Sequence, residues 1–235
     1  MPNDNVNDVS LEMPERISPL GGRCRYNSQM ARLVEIHPTD PQPRRIAEIV
    51  ATIRSGGLIA YPTDSSYALG CHIGDKRAMD RIRRIRKADK HHNFTLVCSD
   101  LSEISLYARI DNWAYRLIKA HTPGPYTFIL QATREVPKRL QNPGRRTIGL
   151  RVPDHAIVQA MLGALGEPIM SSTLTLPGDD GPLTDVHEIE ARIGHQIEMI
   201  VDGGATGKEP TSVIDLSEGS VEILREGRGD VTALA

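Results

Sequence analysis

The feature that most limits what this chain can fold into is its alternation of two hydrophobic rhythms. Ile46, Ile49, Val50 and Ile53 recur at helical spacing within residues 42–54, which puts them on one face of a helix. Ser55-Gly56-Gly57 stops that pattern, as a glycine C-cap does. The run Leu58-Ile59-Ala60-Tyr61 follows and breaks at Pro62. Four apolar residues between turn signals read as a buried strand. The same exchange repeats downstream. Helices are predicted over 75–87 with Asp75 as N-cap, 111–121, 154–165 with Asp154 as N-cap, and 186–193. Strands are predicted over 94–98, 126–131, 147–151 and 168–172, then over 197–201, 211–215 and 221–225. Interleaving early and strand clustering late point to a mixed-sheet α/β domain, not a cleanly doubly wound one.

The 235 residues suit one domain with additions. Residues 1–29 carry three Pro and four Asn and no apolar period, so a disordered leader is expected over 1–32. The domain is expected over 33–230, with a short tail over 231–235. Three cysteines, Cys24, Cys71 and Cys98, at long spacings argue against a disulfide framework. With no secretory h-region and no apolar stretch long enough to span a bilayer, a cytoplasmic protein without a membrane partner is expected. The net charge of −2 excludes nucleic-acid binding by bulk charge. Nine aromatics are too few for a single-strand stacking platform.

Local charge is another matter. Residues 76–90 hold eight cations against Asp80 and Asp89. Arg77, Arg81 and Arg84 share a helical face, and Arg86, Lys87 and Lys90 gather near the helix C-terminus. The bland reading is a solvated face; the functional one is a phosphate or RNA-backbone site. Two hydroxyl-rich turns follow buried strands, at 62–67 and 171–178, where short polar groups orient small ligands. Each is otherwise an ordinary Asx or ST turn. Gly203-Gly204-Ala205-Thr206-Gly207-Lys208 is one residue short of a P-loop and precedes a strand, so it is set aside. Cys71-His72 and His91-His92 lack structural-zinc spacing, and no structural metal is expected.

Taken in order, these stretches resemble the YrdC-like family, which includes threonylcarbamoyl-AMP synthases. Residues 59–70 resemble its PTDTxYGLG signature, and Pro123-Gly124-Pro125-Tyr126-Thr127 its PGPxT. Arg151-Val152-Pro153 resembles its RVP, 211–215 its STVVD, and Leu224-Arg225-Glu226-Gly227 its LRxG. Stretches around His37-Pro38, His92-Asn93 and Leu174-Thr175 resemble its YciO subgroup. The resemblance implies a twisted, open mixed sheet with flanking helices around a basic concave groove. It implies synthesis of threonylcarbamoyl-AMP from L-threonine, bicarbonate and Mg²⁺-bound ATP, for transfer-RNA modification. On that pattern Thr63, Ser65 and Tyr67 line the threonine pocket. Arg86, Lys87, Lys90, Thr173, Thr175 and Arg225 serve the nucleotide.

The sequence departs from the pattern at its phosphate side. The KxR motif falls on Arg86 and Ala88, and the SxN motif on Thr173 and Thr175. Losing a charged and an amide contact is expected to remove about 3–5 kcal/mol of transition-state stabilisation. That is a rate loss on the order of 10²- to 10⁴-fold. Weak or altered synthase activity is therefore one reading. The other is a non-catalytic protein gripping double-stranded RNA, transfer RNA or the ribosome through Arg77, Arg81 and Arg84.

Overall fold

The computed structural model describes residues 30–87 and 94–234. Lys90 and the leader over 1–29 lie outside the described residues. Among those described, eleven strands form one mixed sheet. They are β1 (Arg32–Glu35), β2 (Ile59–Tyr61), β3 (Ala68–His72), β4 (Thr95–Val97), β5 (Ala108–Arg109), β6 (Tyr126–Ala132), β7 (Thr147–Arg151), β8 (Ile169–Thr173), β9 (Met199–Asp202), β10 (Ser212–Asp215) and β11 (Glu222–Arg225). Their spatial order is β1-β9-β2-β3-β8-β4-β7-β6-β10-β11, with β5 paired to β6. β9 runs parallel to β1 and β2, β4 to β7, and β6 to β10. The remaining pairs are antiparallel. Among the described residues the α-helices are α1 (Pro43–Arg54), α2 (Lys76–Arg86), α3 (Leu101–Tyr107), α4 (Asn112–His121), α5 (Ala156–Leu165) and α6 (Val186–Ile193).

Strand alternation divides the core in two. On one face, Ala60, Leu69, Leu96, Phe128, Leu130, Leu150, Met170 and Ile200 pack with residues of α2, α3, α4 and α6. On the other, Ile59, Tyr61, Ile169, Met199 and Val201 pack under α1 and α5. Ile49 and Ile53 of α1 are wholly buried there, each contributing about 1.5–3 kcal/mol on transfer from water. Gly166 ends α5 with φ +76°, a left-handed C-cap. Helices α1 and α5 cover the β1-β9-β2-β3 side of that second face and reach Ile169 of β8 and Val97 of β4. Over β4, β7, β6 and β10 the alternate residues are Thr95, Gly149, Thr127 and Val213, and this half lies open.

The helix expectations hold to within a residue or two. Asp75 caps α2, its Oδ1 accepting from the Ala78 amide at 2.9 Å. Asp154 does not cap α5: the N-cap is His155, and the Asp154 amide instead donates to Asp64 Oδ2 at 3.0 Å. β1, β3, α3 and β5 were not foreseen. β1 begins one residue inside the range set aside as leader. In the tail, Val231 is buried and 232–234 form a single 3-10 turn.

Candidate anion-binding cleft

The open half of the sheet is the floor of a cleft of about 490 Å³. Its floor is a field of hydroxyls. Thr95 pairs in register with both Gly149 and Ser171, and Ala68 with Thr173. Residues paired in register on neighbouring strands point to the same face, so these groups share one surface. Gly149 keeps it low, because a Cβ there would lie 3.1 Å from Thr95 Oγ1. Thr127 and Thr211 close the far side, their hydroxyls 2.9 Å apart. The walls supply charge: Arg86, Arg145, Arg151, Lys208 and Arg225 line the cleft against one carboxylate, Asp180.

Arg151, at the end of β7, ties two motifs together. It is 8% exposed. Its Nη2 donates to the Asp64 carboxylate, to Ser65 Oγ at 3.0 Å and to Thr63 Oγ1 at 3.4 Å. Its Nε–H is buried and has no hydrogen-bond partner among the described residues. Burial pulls this guanidinium below its ordinary pKa, and the Asp64 charge opposes the shift. Arg86 is lowered by burial too. Arg225 is lowered by burial and by the charge of Arg151.

The foreseen residues divide. Thr63 lines the cleft. Its hydroxyl donates to the Ser66 carbonyl at 2.7 Å and accepts from the Ser65 and Ser66 amides at 3.2 Å, so it also builds the turn. Ser65 sits behind it, against Arg151. Tyr67 is not among the lining residues. Its ring is buried, and its hydroxyl donates to the Gly204 carbonyl at 3.1 Å. Arg86, Thr173, Thr175 and Arg225 line the cleft. Arg86 Nη1 donates to Ser172 Oγ and its Nε to the Thr175 carbonyl. Arg225 clasps the Thr211 carbonyl at 2.8 and 3.0 Å. Lys87 is exposed at the end of α2 and outside the lining. Arg77 and Arg84 are exposed, and neither lines the cleft. Arg81 is bound to the Gln196 carbonyl and to Glu198, 2.9 Å away. Sequence reasoning missed Arg145, Lys208 and the role of Arg151. The RVP position at a strand end was a signal for the last. Arg145 gave none, and Lys208 lay in the stretch dismissed as a failed P-loop.

Fold and cleft together define an open-sheet α/β protein with a hydroxyl-floored, cation-lined cleft on the bare half of one sheet face. The Sua5/YciO/YrdC family model, described as "Telomere recombination", matches residues 51–227, and the chain belongs to that family. It is 57% identical over 201 residues to an uncharacterised protein of Haemophilus influenzae, covering 85% of this chain and 97% of that one. It is 53% identical over 202 residues to YciO of Escherichia coli K12, itself uncharacterised, covering 86% and 98%. The threonylcarbamoyl-AMP synthase of Halorhodospira halophila is 28% identical over 186 residues, covering 78% and 96%. The crystal structure of E. coli YciO superposes with a TM-score of 0.85 at 52% identity, over 88% of this chain and all of that one. P. abyssi Sua5 in complex with L-threonine superposes with a TM-score of 0.76 at 27% identity, over 83% of this chain and 57% of the longer Sua5. Among the described residues no helix is long and apolar enough to cross a membrane.

Proposed function

We propose that this protein is an ATP-dependent carbamoyl-adenylate synthase of the threonylcarbamoyl-AMP type, with a nucleotide side altered from that of the synthases. The observation that carries the reading is the cleft itself, with five cations and one carboxylate around a hydroxyl floor. L-threonine and bicarbonate first condense to an N-carboxylate with loss of water. A carboxylate oxygen of that carbamate attacks the α-phosphorus of Mg²⁺-bound ATP. The bond from the α-phosphorus to the bridging oxygen breaks, and pyrophosphate leaves with the electron pair. No protein nucleophile is needed; the residues align two anions and spread charge. Thr63 and Ser171 stand where the amino-acid end fits. Arg151 holds the turn that carries Thr63, and Arg86, Arg225, Arg145 and Lys208 are cations for the phosphates. Ala88 and Thr175, at positions where the synthases carry Arg and Asn, set a slow or retuned reaction.

The test is pyrophosphate release from Mg-ATP with L-threonine and bicarbonate. The expected result is release above background that requires all three and is lost in Arg151→Gln. Release at background in the intact protein overturns the reading. A second reading, grip of structured RNA, has support from the exposed Arg77 and Arg84 on α2. It predicts binding that falls steeply with salt and is weakened when both become Ala.

A further inference from the structure

The cleft floor meets the apolar core at a tyrosine. Tyr61, at the end of β2, is wholly buried among the residues that α1 and α5 cover. Its ring crosses one strand to reach the next. Gly70 of β3 pairs with Ile59 on one side and with Ser171 of β8 on the other. A Cβ at Gly70 would lie 2.7 Å from Tyr61 Cε1, so the glycine clears the path of the ring. The phenol oxygen then stands 2.7 Å from Ser171 Oγ, and Ser171 lines the cleft. Two hydroxyls carry two protons, and the bond between them uses one. If Ser171 donated, the Tyr61 proton would stay in the core, where its hydroxyl has no other partner among the described residues. If Tyr61 donates, the spare proton belongs to Ser171, on the side where water or a ligand accepts it. Only the second arrangement satisfies both groups. Burial pushes the Tyr61 phenol up to about 12, so it keeps its proton through the neutral range.

We propose that Tyr61 is a positioning residue for the cleft: its O–H donates to Ser171 Oγ and turns the Ser171 O–H toward a carboxylate oxygen at the amino-acid end of the ligand. A free serine presents a lone pair as readily as a proton. Held by Tyr61, Ser171 presents the proton, which suits an anion. A hydroxyl that already accepts a hydrogen bond is also the better donor, because the two bonds polarise each other. Tyr61 has this role only if that end of the cleft takes the amino acid, as proposed above.

The experiment is calorimetric titration of the whole protein with Mg-ATP, and with L-threonine in the presence of Mg-ATP. The variants are Tyr61→Phe, Ser171→Ala and the two combined. Expected is L-threonine binding weakened about tenfold in Ser171→Ala, the loss of a hydrogen bond to a charged group. In Tyr61→Phe the ring stays but Ser171 turns freely, and the loss should be about threefold or more. The double variant should bind no more weakly than Ser171→Ala, because Tyr61 acts only through Ser171. Mg-ATP affinity should change less than about twofold in all three. A tyrosine that merely filled the core would leave L-threonine binding unchanged in Tyr61→Phe, or would lower the affinity for both ligands together. Either result overturns the positioning role, and so do losses that multiply in the double variant. Ser171→Ala tests the donor without touching the core, and unchanged L-threonine affinity there overturns the proposal too. No binding of L-threonine to the intact protein at millimolar concentration is a different failure: it removes the amino-acid reading of the cleft, and this role with it. Thermal melts verify the fold of each variant.

Discussion

The pair Arg151–Asp64 joins three separate parts of the chain. Their side chains are 9% and 10% exposed. Asp64 also accepts from the Asp154 amide, so one carboxylate locks the 62–67 turn to the end of β7 and the start of α5. Replacing Asp64 by Asn leaves a buried guanidinium without its counter-charge. The expected cost is about 3–5 kcal/mol, read by urea unfolding. Asp64→Asn combined with Arg151→Met should recover part of it, because the stranded charge is then gone. His155 offers a second readout at this scale. Burial, the largest cause, holds its pKa below the ordinary value, and Arg151 adds to it against the opposing charges of Asp64 and Asp154. The unfolded chain then binds more protons than the folded one at mildly acid pH. The contribution is present above the ordinary histidine value and is lost as pH falls below it. His155→Gln should therefore flatten the stability decline on acidification through that range, seen as unfolding midpoints across pH.

At the scale of elements, α2 joins stability to the site. Asp75 caps its first turn, and its last residue, Arg86, reaches the cleft. Asp75→Ala should destabilise the protein by about 1 kcal/mol, measured by chemical denaturation. The helix was legible because Ala78, Ile82 and Ile85 keep period and Asp75 stands at its start. β3 was not. Ala68-Leu69-Gly70-Cys71-His72 is buried on both faces and carries a glycine, so it shows neither alternation nor a β-branched run. α3 spans only seven residues, too few for a period to declare itself. Asp154 misled because its polar side chain suits a cap, whereas its amide is used by a carboxylate ninety residues earlier in the chain. The site divides in the same way. Thr63 and Arg86 stand in local patterns that a reader can find. Arg145 and Lys208 reach the cleft only because β6, β7 and β10 lie side by side, an adjacency made by long-range pairing.

The whole molecule resolves an apparent conflict of charge. The chain carries −2 overall, yet one open half-face of its sheet is walled by five cations. Two of the five are themselves balanced, Arg151 by Asp64 and Arg145 by Asp215 and Glu218, and acidic residues elsewhere balance other cations, as Glu48 does for Arg32 and Glu198 for Arg81. The uneven charge is therefore local to parts of the surface. The cations of α2 then fall into two groups with different consequences. Arg86 faces the cleft, and Arg77 and Arg84 face outward. If the cleft holds the nucleotide, Mg-ATP affinity should fall about tenfold or more in Arg86→Ala, the loss of a charge-assisted phosphate contact. It should change less than about twofold when Arg77 and Arg84 are both replaced by Ala, because charges beyond roughly 10 Å are screened at ordinary salt. Titration of each variant with Mg-ATP at two ionic strengths separates the cases. Equal losses in both variants would mean a diffuse field over the helix, the behaviour of a nucleic-acid surface. A loss confined to Arg86, with only a shallow salt dependence, means a partly buried phosphate site. Buried contacts are screened less than exposed ones, so the salt slope and the choice of arginine must agree.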